Sequence, residues 1–332
     1  MTLEPSQRLA LDVPGGDRAP EATLDGALRA VEGGLAAERI LLVGDESAIR
    51  AGLAERGGDP GFALLHAPDA IPMGASPAQA LRAQPRASIP VMVGAIAAGQ
   101  AGAAVSMGNT GAVVGAATLG LGTLEGVRRA GIAVTVALTG QPVVFLDMGA
   151  NVVPRPEHLV QYGAMGSIYM RDVLGVEEPR VGLLNVGEEK GKGTPLLKEA
   201  YEAMETAGYR FVGNIEGGGL FGGSADVVVM DGFTGNVILK LMEHFSDLVL
   251  GLVFKELRAH DAASWGGEAL SSIKQSIDYS SYGGALLLGV RGVVIIGHGR
   301  SDAVAVANAL GQAALALDSR VNQHIEQGLA RT

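Results

Sequence analysis

Short apolar runs rich in β-branched residues alternate along this chain with longer stretches whose apolar positions recur at helical spacing. Arg8-Leu9-Ala10-Leu11-Asp12-Val13 reads as a first strand, closed by the turn Pro14-Gly15-Gly16-Asp17-Arg18-Ala19. Pro20 then suits the first turn of a helix reaching about Gly33. Residues 39–44 give the next strand, and Asp45-Glu46-Ser47 is the acidic start of another helix. Further strands are expected at 103–105, from Val143, at 180–187, 225–230, 285–290 and 292–297. Helices are expected from Pro156, over 236–257 and in the Ala-rich stretch ending near Leu317. Residues 57–90 look irregular and Pro-rich, a solvated connection holding Arg82, Arg86 and Ser88, and His260 to Ser276 carries no clean strand signal. Uniformly apolar strands, rather than alternating ones, are buried on both faces as in a parallel sheet. With helices between them, the expected class is α/β, a doubly wound and mostly parallel sheet.

The stretch Ala225 to Asn236, running straight into Val237-Ile238-Leu239-Lys240, concentrates the candidate chemistry. It reads as strand, tight turn and helix. Gly232 and Gly235 free the turn to adopt angles closed to other residues, so that its amides and those of the first helical residues can face one anion. Ala103 to Ala112 repeats this layout, and Gly-x-Thr-Gly occurs in both, at Gly108-Asn109-Thr110-Gly111 and at Gly232-Phe233-Thr234-Gly235. One such turn is ordinary loop chemistry. Several at the carboxyl ends of parallel strands fall at the sheet edge where open α/β folds bind ligands, and phosphate is the anion they suit.

Other loops fall at the same kind of position. The strand from Val143 ends on Asp147, Gly149 and Asn151. The strand from Arg180 opens onto Glu188-Glu189-Lys190-Gly191-Lys192-Gly193-Thr194, mobile in composition and readable either as a solvated loop or as a phosphate clamp with lysine as point charge. His298 is the one histidine of six in a glycine turn after a strand.

Composition narrows these readings. The chain has 332 residues, 50 of them Gly, no cysteine and a formal net charge of −10. It exceeds one ordinary domain, so one large unit or two lobes are expected. Disulfides, thiolate metal sites and a cysteine nucleophile are excluded together. The acidic balance, without a basic run interleaved with aromatics, argues against nucleic acid as a partner. No secretory signal or membrane-length apolar run occurs, and a cytoplasmic location is the simplest expectation.

The motifs present exclude more chemistry. A Gly-x-Ser-x-Gly elbow and a His-Glu-x-x-His set are both missing, so an acyl-enzyme and a catalytic zinc lack support, and no metal is expected. Neither dinucleotide nor nucleoside-triphosphate fingerprints occur, so no cofactor is expected. Amides, Asn side chains and a few cations remain. Such a set can hold an oxyanion and stabilise charge building on a carbonyl oxygen, which attack by phosphate on a thioester requires.

Several motifs in order carry a family resemblance: Leu11-Asp12 with Gly15-Gly16-Asp17, Ser106 to Ala112, Leu146 to Asn151, Met165-Gly166-Ser167, Leu183 to Glu189, Gly213 to Gly217, Asp231 to Asn236, and Asp278 to Gly284 with His298-Gly299. Over about Leu9 to Leu310 the chain resembles the bacterial phosphate acyltransferases, which convert acyl-(acyl carrier protein) and inorganic phosphate to acyl phosphate at the start of phospholipid synthesis. The resemblance implies the fold of the isocitrate and isopropylmalate dehydrogenase group, two lobes around a cleft. One unit over 8–325 is expected, with lobes 8–118 plus 285–325 and 119–284.

It also implies Lys192 and Asn236 as catalytic residues. Lys192 would neutralise phosphate, and Asn236 would hold the thioester carbonyl or a phosphate oxygen. Gly15, Gly16, Asp17, Gly108, Asn109, Thr110, Asp147, Asn151, Glu188, Asp231, Thr234, Lys240 and His298 would bind substrate. Acyl carrier protein and phosphate are the implied partners, with a homodimer, a membrane acyltransferase and transient contact with the inner face of the membrane. The chain departs from the family at Arg18, where a His is usual, at Gly218-Gly219, where Arg-Asp is usual, and near Ala75, where an acidic residue is usual. Phe245, Leu248, Val249, Leu252 and Phe254 suit core, a dimer seam or an interfacial membrane contact, dimer packing first. Three other readings stay open: a phosphotransacylase using short acyl-CoA, a β-decarboxylating dehydrogenase, and a non-catalytic scaffold for lipid-synthesis enzymes.

Overall fold

A computed structural model describes residues 4–136, 140–259 and 283–330 of the chain. The motif residues 278–282 therefore lie outside the described residues. The chain divides into two compact units, Met1–Ala130 with Tyr282–Thr332, and Gly131–Ser281.

The first unit opens with strands β1 (Leu9–Asp12), β2 (Ile40–Gly44), β3 (Ala63–His66) and β4 (Ala103–Ser106). Between them run helices α1 (Glu21–Glu32), α2 (Glu46–Ala54), α3 (Pro77–Ala83) and α4 (Ser88–Ala97), with α5 (Thr110–Gly120) after β4. The second unit holds β5 (Gly131–Val136), β6 (Val143–Leu146), α6 (Pro156–Asp172), β7 (Arg180–Leu184), α7 (Pro195–Met204), β8 (Arg210–Ile215), β9 (Val227–Val229) and α8 (Gly232–Ala259). The chain then returns to the first unit with β10 (Ala285–Leu288), β11 (Val293–Ile296), α9 (Ala303–Asp318) and α10 (Val321–Leu329).

In the first unit the strand order is β3-β2-β1-β4-β11-β10, parallel throughout except for β10 against β11. In the second it is β5-β6-β9-β7-β8, parallel except for β5 against β6. The mostly parallel α/β class expected from uniformly apolar strands is what forms. Every residue of β1, β2, β4, β6, β9, β10 and β11 is buried. Helices cover them closely because small residues let them. A Cβ on Gly26 of α1 would meet Val306 of α9, and one on Gly166 of α6 would lie 2.6 Å from Val227 of β9. Phe145, Tyr162 and Tyr169, all fully buried, fill the core of the second unit.

Two expectations need correction. Residues 57–90 are not merely a solvated connection, since they contain β3, α3 and the start of α4. Their signals are faint because β3 is an edge strand lacking a β-branched residue, and α3 spans only 7 residues, too few to show a helical period. Residues 232–235 are not a turn, because α8 already starts at Gly232. No positive φ occurs at Gly232 or Gly235. They are glycines for clearance: a Cβ on Gly232 would lie 2.6 Å from the Asn151 carbonyl oxygen, and one on Gly235 would collide with the carbonyl oxygen of Asp147.

Candidate functional site

In each unit the parallel strands end at one edge, and the loops picked out by sequence follow those ends. In the first unit these are the loops after β1, β4 and β11. Gly16, at φ +105°, carries the chain so that the Asp17 amide donates to the Gly299 carbonyl at 2.7 Å. A Cβ on Gly15 would lie 3.0 Å from the Gly108 amide, so these three loops pack against one another. His298 Nδ1 accepts from the Arg300 amide at 3.1 Å, which leaves the ring proton on Nε2 if the imidazole is neutral. Asp17 and Thr110 are exposed, and Gly108 and Asn109 are buried.

Asn109 caps α5, its Oδ1 accepting from the Ala112 amide at 3.0 Å. Its Nδ2 donates to the carbonyls of Met73 and Ala75, both at 2.9 Å. Its amide is thus spent on structure, and Thr110 beside it presents the open face of the helix N-terminus. Beneath these loops Asp12 is 1% exposed. Ser106 Oγ donates to its Oδ2 at 2.6 Å and accepts from the Gly108 amide at 3.0 Å, while Oδ1 is buried without a hydrogen-bond partner among the described residues. Burial pushes the Asp12 carboxyl up from its ordinary value, with the Ser106 and Ser88 hydroxyls pulling the other way.

In the second unit Asp147 organises the loop after β6. Its Oδ1 accepts from the amides of Ile132, Gly149 and Ala150 at 2.9, 3.1 and 2.9 Å, and its Oδ2 from the Asn151 amide at 2.7 Å. Burial pushes this carboxyl up as well, against those four backbone donors. Asn151 donates to Tyr162 Oη at 2.8 Å, and its carbonyl accepts from the Gly232 amide at 2.9 Å. That bond seats the first turn of α8 on the 147–151 loop and sets the exposed Asn236 beside Gly149, where a Cβ would lie 3.5 Å from Asn236 Cβ. Asp231 caps α8: its carboxylate accepts from the Thr234 amide at 2.8 Å and from Thr234 Oγ1 at 2.7 Å. The amides of Gly232 and Thr234 are therefore already engaged, which narrows the anion cradle expected there. Lys240 Nζ pairs with Glu243 at 2.8 Å.

The loop after β7 carries Glu188 and Lys192, both exposed. Lys190 is tied to Glu205 at 2.5 Å and lies 5.5 Å from the Tyr201 ring centroid, whereas Lys192 Nζ stands 3.8 Å from Glu189. The loop is anchored by Asn185 and Asn214, two buried residues outside the expected site set. The available signal was an asparagine at the end of an apolar strand just before a glycine-bearing loop. Of the departures, Arg18 is exposed, and a Cβ on Gly218 would enter open space. Among the described residues no group of three or more His, Cys, Asp or Glu could hold a metal ion, and no helix is long and apolar enough to cross a membrane.

Comparison with known proteins adds to this geometry. The family model described as "Fatty acid synthesis protein" matches residues 7–324. The chain is 42% identical over 329 residues to a phosphate acyltransferase of Elusimicrobium minutum, with 97% of this chain and 96% of the relative covered. It is 43% identical to one of Thermus thermophilus, covering 97% of this chain and 98% of the relative. Among solved structures, a phosphotransacetylase from Streptococcus pyogenes superposes with a TM-score of 0.64 at 16% identity over 94% of each chain. A 4-hydroxythreonine-4-phosphate dehydrogenase from Klebsiella pneumoniae does so with a TM-score of 0.54 at 16% identity, over 97% of this chain and 100% of the other. At that identity the likeness concerns the fold alone.

Proposed function

The chain belongs to the phosphate acyltransferase family of fatty-acid synthesis, and from that premise we propose that it transfers a fatty acyl group from acyl-(acyl carrier protein) to inorganic phosphate. The observation that carries the reading is sequence identity above 40% across nearly the whole of both chains. In the proposed step a phosphate oxygen attacks the thioester carbonyl carbon, negative charge builds on the carbonyl oxygen, and the C–S bond breaks. The carrier leaves as its thiolate and takes a proton from water. Lys192 neutralises the incoming phosphate, whose own charge makes a strong base unnecessary. Asn236 donates its amide to the developing oxyanion or to a phosphate oxygen.

Thr110, Asp17, His298, Glu188 and Lys240 contribute to substrate binding through their own side chains. Gly15, Gly16 and Gly108 contribute through backbone, while Asn109, Asp147, Asn151, Asp231 and Thr234 act through the loops and helix starts they hold. Inorganic phosphate and acyl carrier protein are the substrates in this reading. The test is purified protein with palmitoyl-(acyl carrier protein), with and without phosphate, following product by mass. Phosphate-dependent palmitoyl phosphate supports the assignment. Turnover of acetyl-CoA alone would shift it to a short-chain phosphotransacylase, and binding of the carrier without turnover would shift it to a scaffold.

The proposal extends to assembly. On α8, Phe233, Val237, Leu241, Phe245, Leu248 and Leu252 are each more than half exposed and follow one stripe of the helix. We assign that stripe to a homodimer seam, with the working location cytoplasmic, at or near the inner face of the membrane where a membrane acyltransferase takes the product. Sedimentation of Leu241→Glu against the parent checks the seam. A monomeric variant supports it. An unchanged sedimentation coefficient together with lost binding to anionic vesicles would instead assign the stripe to lipid.

A further inference from the structure

Two buried side-chain amides hold the loop that carries Lys192. Asn185, just beyond β7, donates from Nδ2 to the Lys192 carbonyl at 3.2 Å and to Asn214 Oδ1 at 3.1 Å, and its Oδ1 accepts from the Val186 amide at 2.8 Å. Asn214, near the end of β8, donates from Nδ2 to the Glu189 carbonyl at 2.9 Å. The Lys192 amide in turn donates to that same Glu189 carbonyl at 3.0 Å. The network fixes both amide orientations, because turning either group over would set oxygen against oxygen or nitrogen against nitrogen.

The strands deliver this pair by a local irregularity. Between Val181↔Phe211 and Leu183↔Asn214, β7 advances two residues (183 − 181) and β8 three (214 − 211), so β8 carries one extra residue. Gly213, at φ +93°, supplies the backbone for it. A bulge reverses the alternation of side chains along a strand, and Asn214 is thereby buried where unbroken alternation would differ. On the loop itself Gly193 takes φ +87°, and any Cβ there would collide with Asn185 Oδ1. Buried amides cost stability unless paired, and here each is paired with the loop's backbone.

We infer that Asn185 and Asn214 are positioning residues that fix the backbone on both sides of Lys192 and so aim its ammonium. The inference rests on the reading of Lys192 as the cation that meets phosphate. Neither asparagine touches substrate; both act through the 186–193 backbone. A purely structural pair would lower stability alike whether or not Lys192 were present, whereas a positioning pair has its effect on rate through that lysine.

The test places Asn214→Ala and the gentler Asn185→Ser in the full chain, each with Lys192 intact and as Lys192→Ala. It reads thermal melting, hydrogen exchange over 186–193, and kcat and KM for phosphate. The expected result is faster exchange in the loop and a fall of about a hundredfold in kcat/KM for phosphate, with KM for the acylated carrier unchanged. In the Lys192→Ala background the same change should lower the rate by no more than about twofold, since residues acting as one unit are not additive. Should Asn214→Ala fail to fold, Asn185→Ser carries the comparison. Full additivity, unchanged exchange, or parental turnover in a folded variant would overturn the inference while leaving Lys192 in place. Parental turnover by Lys192→Ala alone would instead remove the functional reading beneath it.

Discussion

The two Gly-x-Thr-Gly stretches, which differ only at their second residue, sit two residues apart in helix register. In the first unit α5 begins at Thr110, and Asn109, inside the motif, is the cap. In the second, α8 begins at Gly232, and the cap is Asp231, ahead of the motif. The reason is chemical. Asn109 has a side-chain oxygen that can accept from the amide three residues on, and Phe233 at the equivalent position has none, so the capping role falls to the nearest preceding acceptor. The threonines consequently differ in work: Thr110 stands exposed at the first helical position, while Thr234 spends its hydroxyl on the cap. A shared motif therefore specifies a helix start, and the capping residue specifies its register.

The largest expected effect separates the second glycine of each motif. Gly235→Ala drives a methyl into the backbone of Asp147 and Met148, whereas Gly111→Ala meets the Pro77 ring at 2.5 Å. Alanine in a helix interior gains about 1 kcal/mol over glycine, but overpacking against backbone should leave Gly235→Ala about 3 kcal/mol less stable. Gly111→Ala should lose less, because α3 can shift more readily than the 147–151 loop. Denaturant unfolding of both variants checks the order, and equal losses would mean that the two helix starts are equally confined.

Next come the caps. Asn109→Ala removes one cap bond and two bonds to the Met73 and Ala75 carbonyls, and should cost about 2 kcal/mol. Asp231→Ala removes a cap alone, and should cost about 1 kcal/mol. A reversed order in chemical denaturation would contradict the registers described.

The smallest effect concerns the buried carboxylates beneath the two starts. Asp147 has four backbone donors, whereas Asp12 has the Ser106 and Ser88 hydroxyls and an Oδ1 without a hydrogen-bond partner among the described residues. Burial raises the Asp12 carboxyl's pKa in the folded chain, so the folded state binds its proton more tightly than the unfolded one. Its contribution to stability is then fully present below the ordinary carboxylate pKa and is lost as pH rises through the raised value. Relative to Asp12→Asn, the parent should lose stability on that rise. A pH-independent difference between the two unfolding curves would contradict this.

Much of the fold was legible because strands covered on both faces must be apolar throughout, as in Leu9 to Leu11, Val227 to Val229 and Val293 to Ile296. Edge strand β3, only partly buried, lacked such a frame, whereas β5 is buried throughout and had it. The loops were found by their glycines, but why those residues are glycine was not legible. Clearance at Gly235 and conformation at Gly16 look the same in a sequence. The Asn185–Asn214 pair escaped notice because a bulge at Gly213, a feature of strand pairing, brings the two amides together. The loop's charges were legible and the family resemblance implied Lys192 within it, while what holds that lysine was not legible.

The most direct measurement is the rate at which palmitoyl-(acyl carrier protein) and phosphate give palmitoyl phosphate in the parent, Lys192→Ala and Asn236→Ala. Equal amounts of acyl phosphate and free carrier from the parent are expected, with a fall of about a hundredfold or more for each variant. Variants that melt like the parent and turn over at its rate would contradict the account.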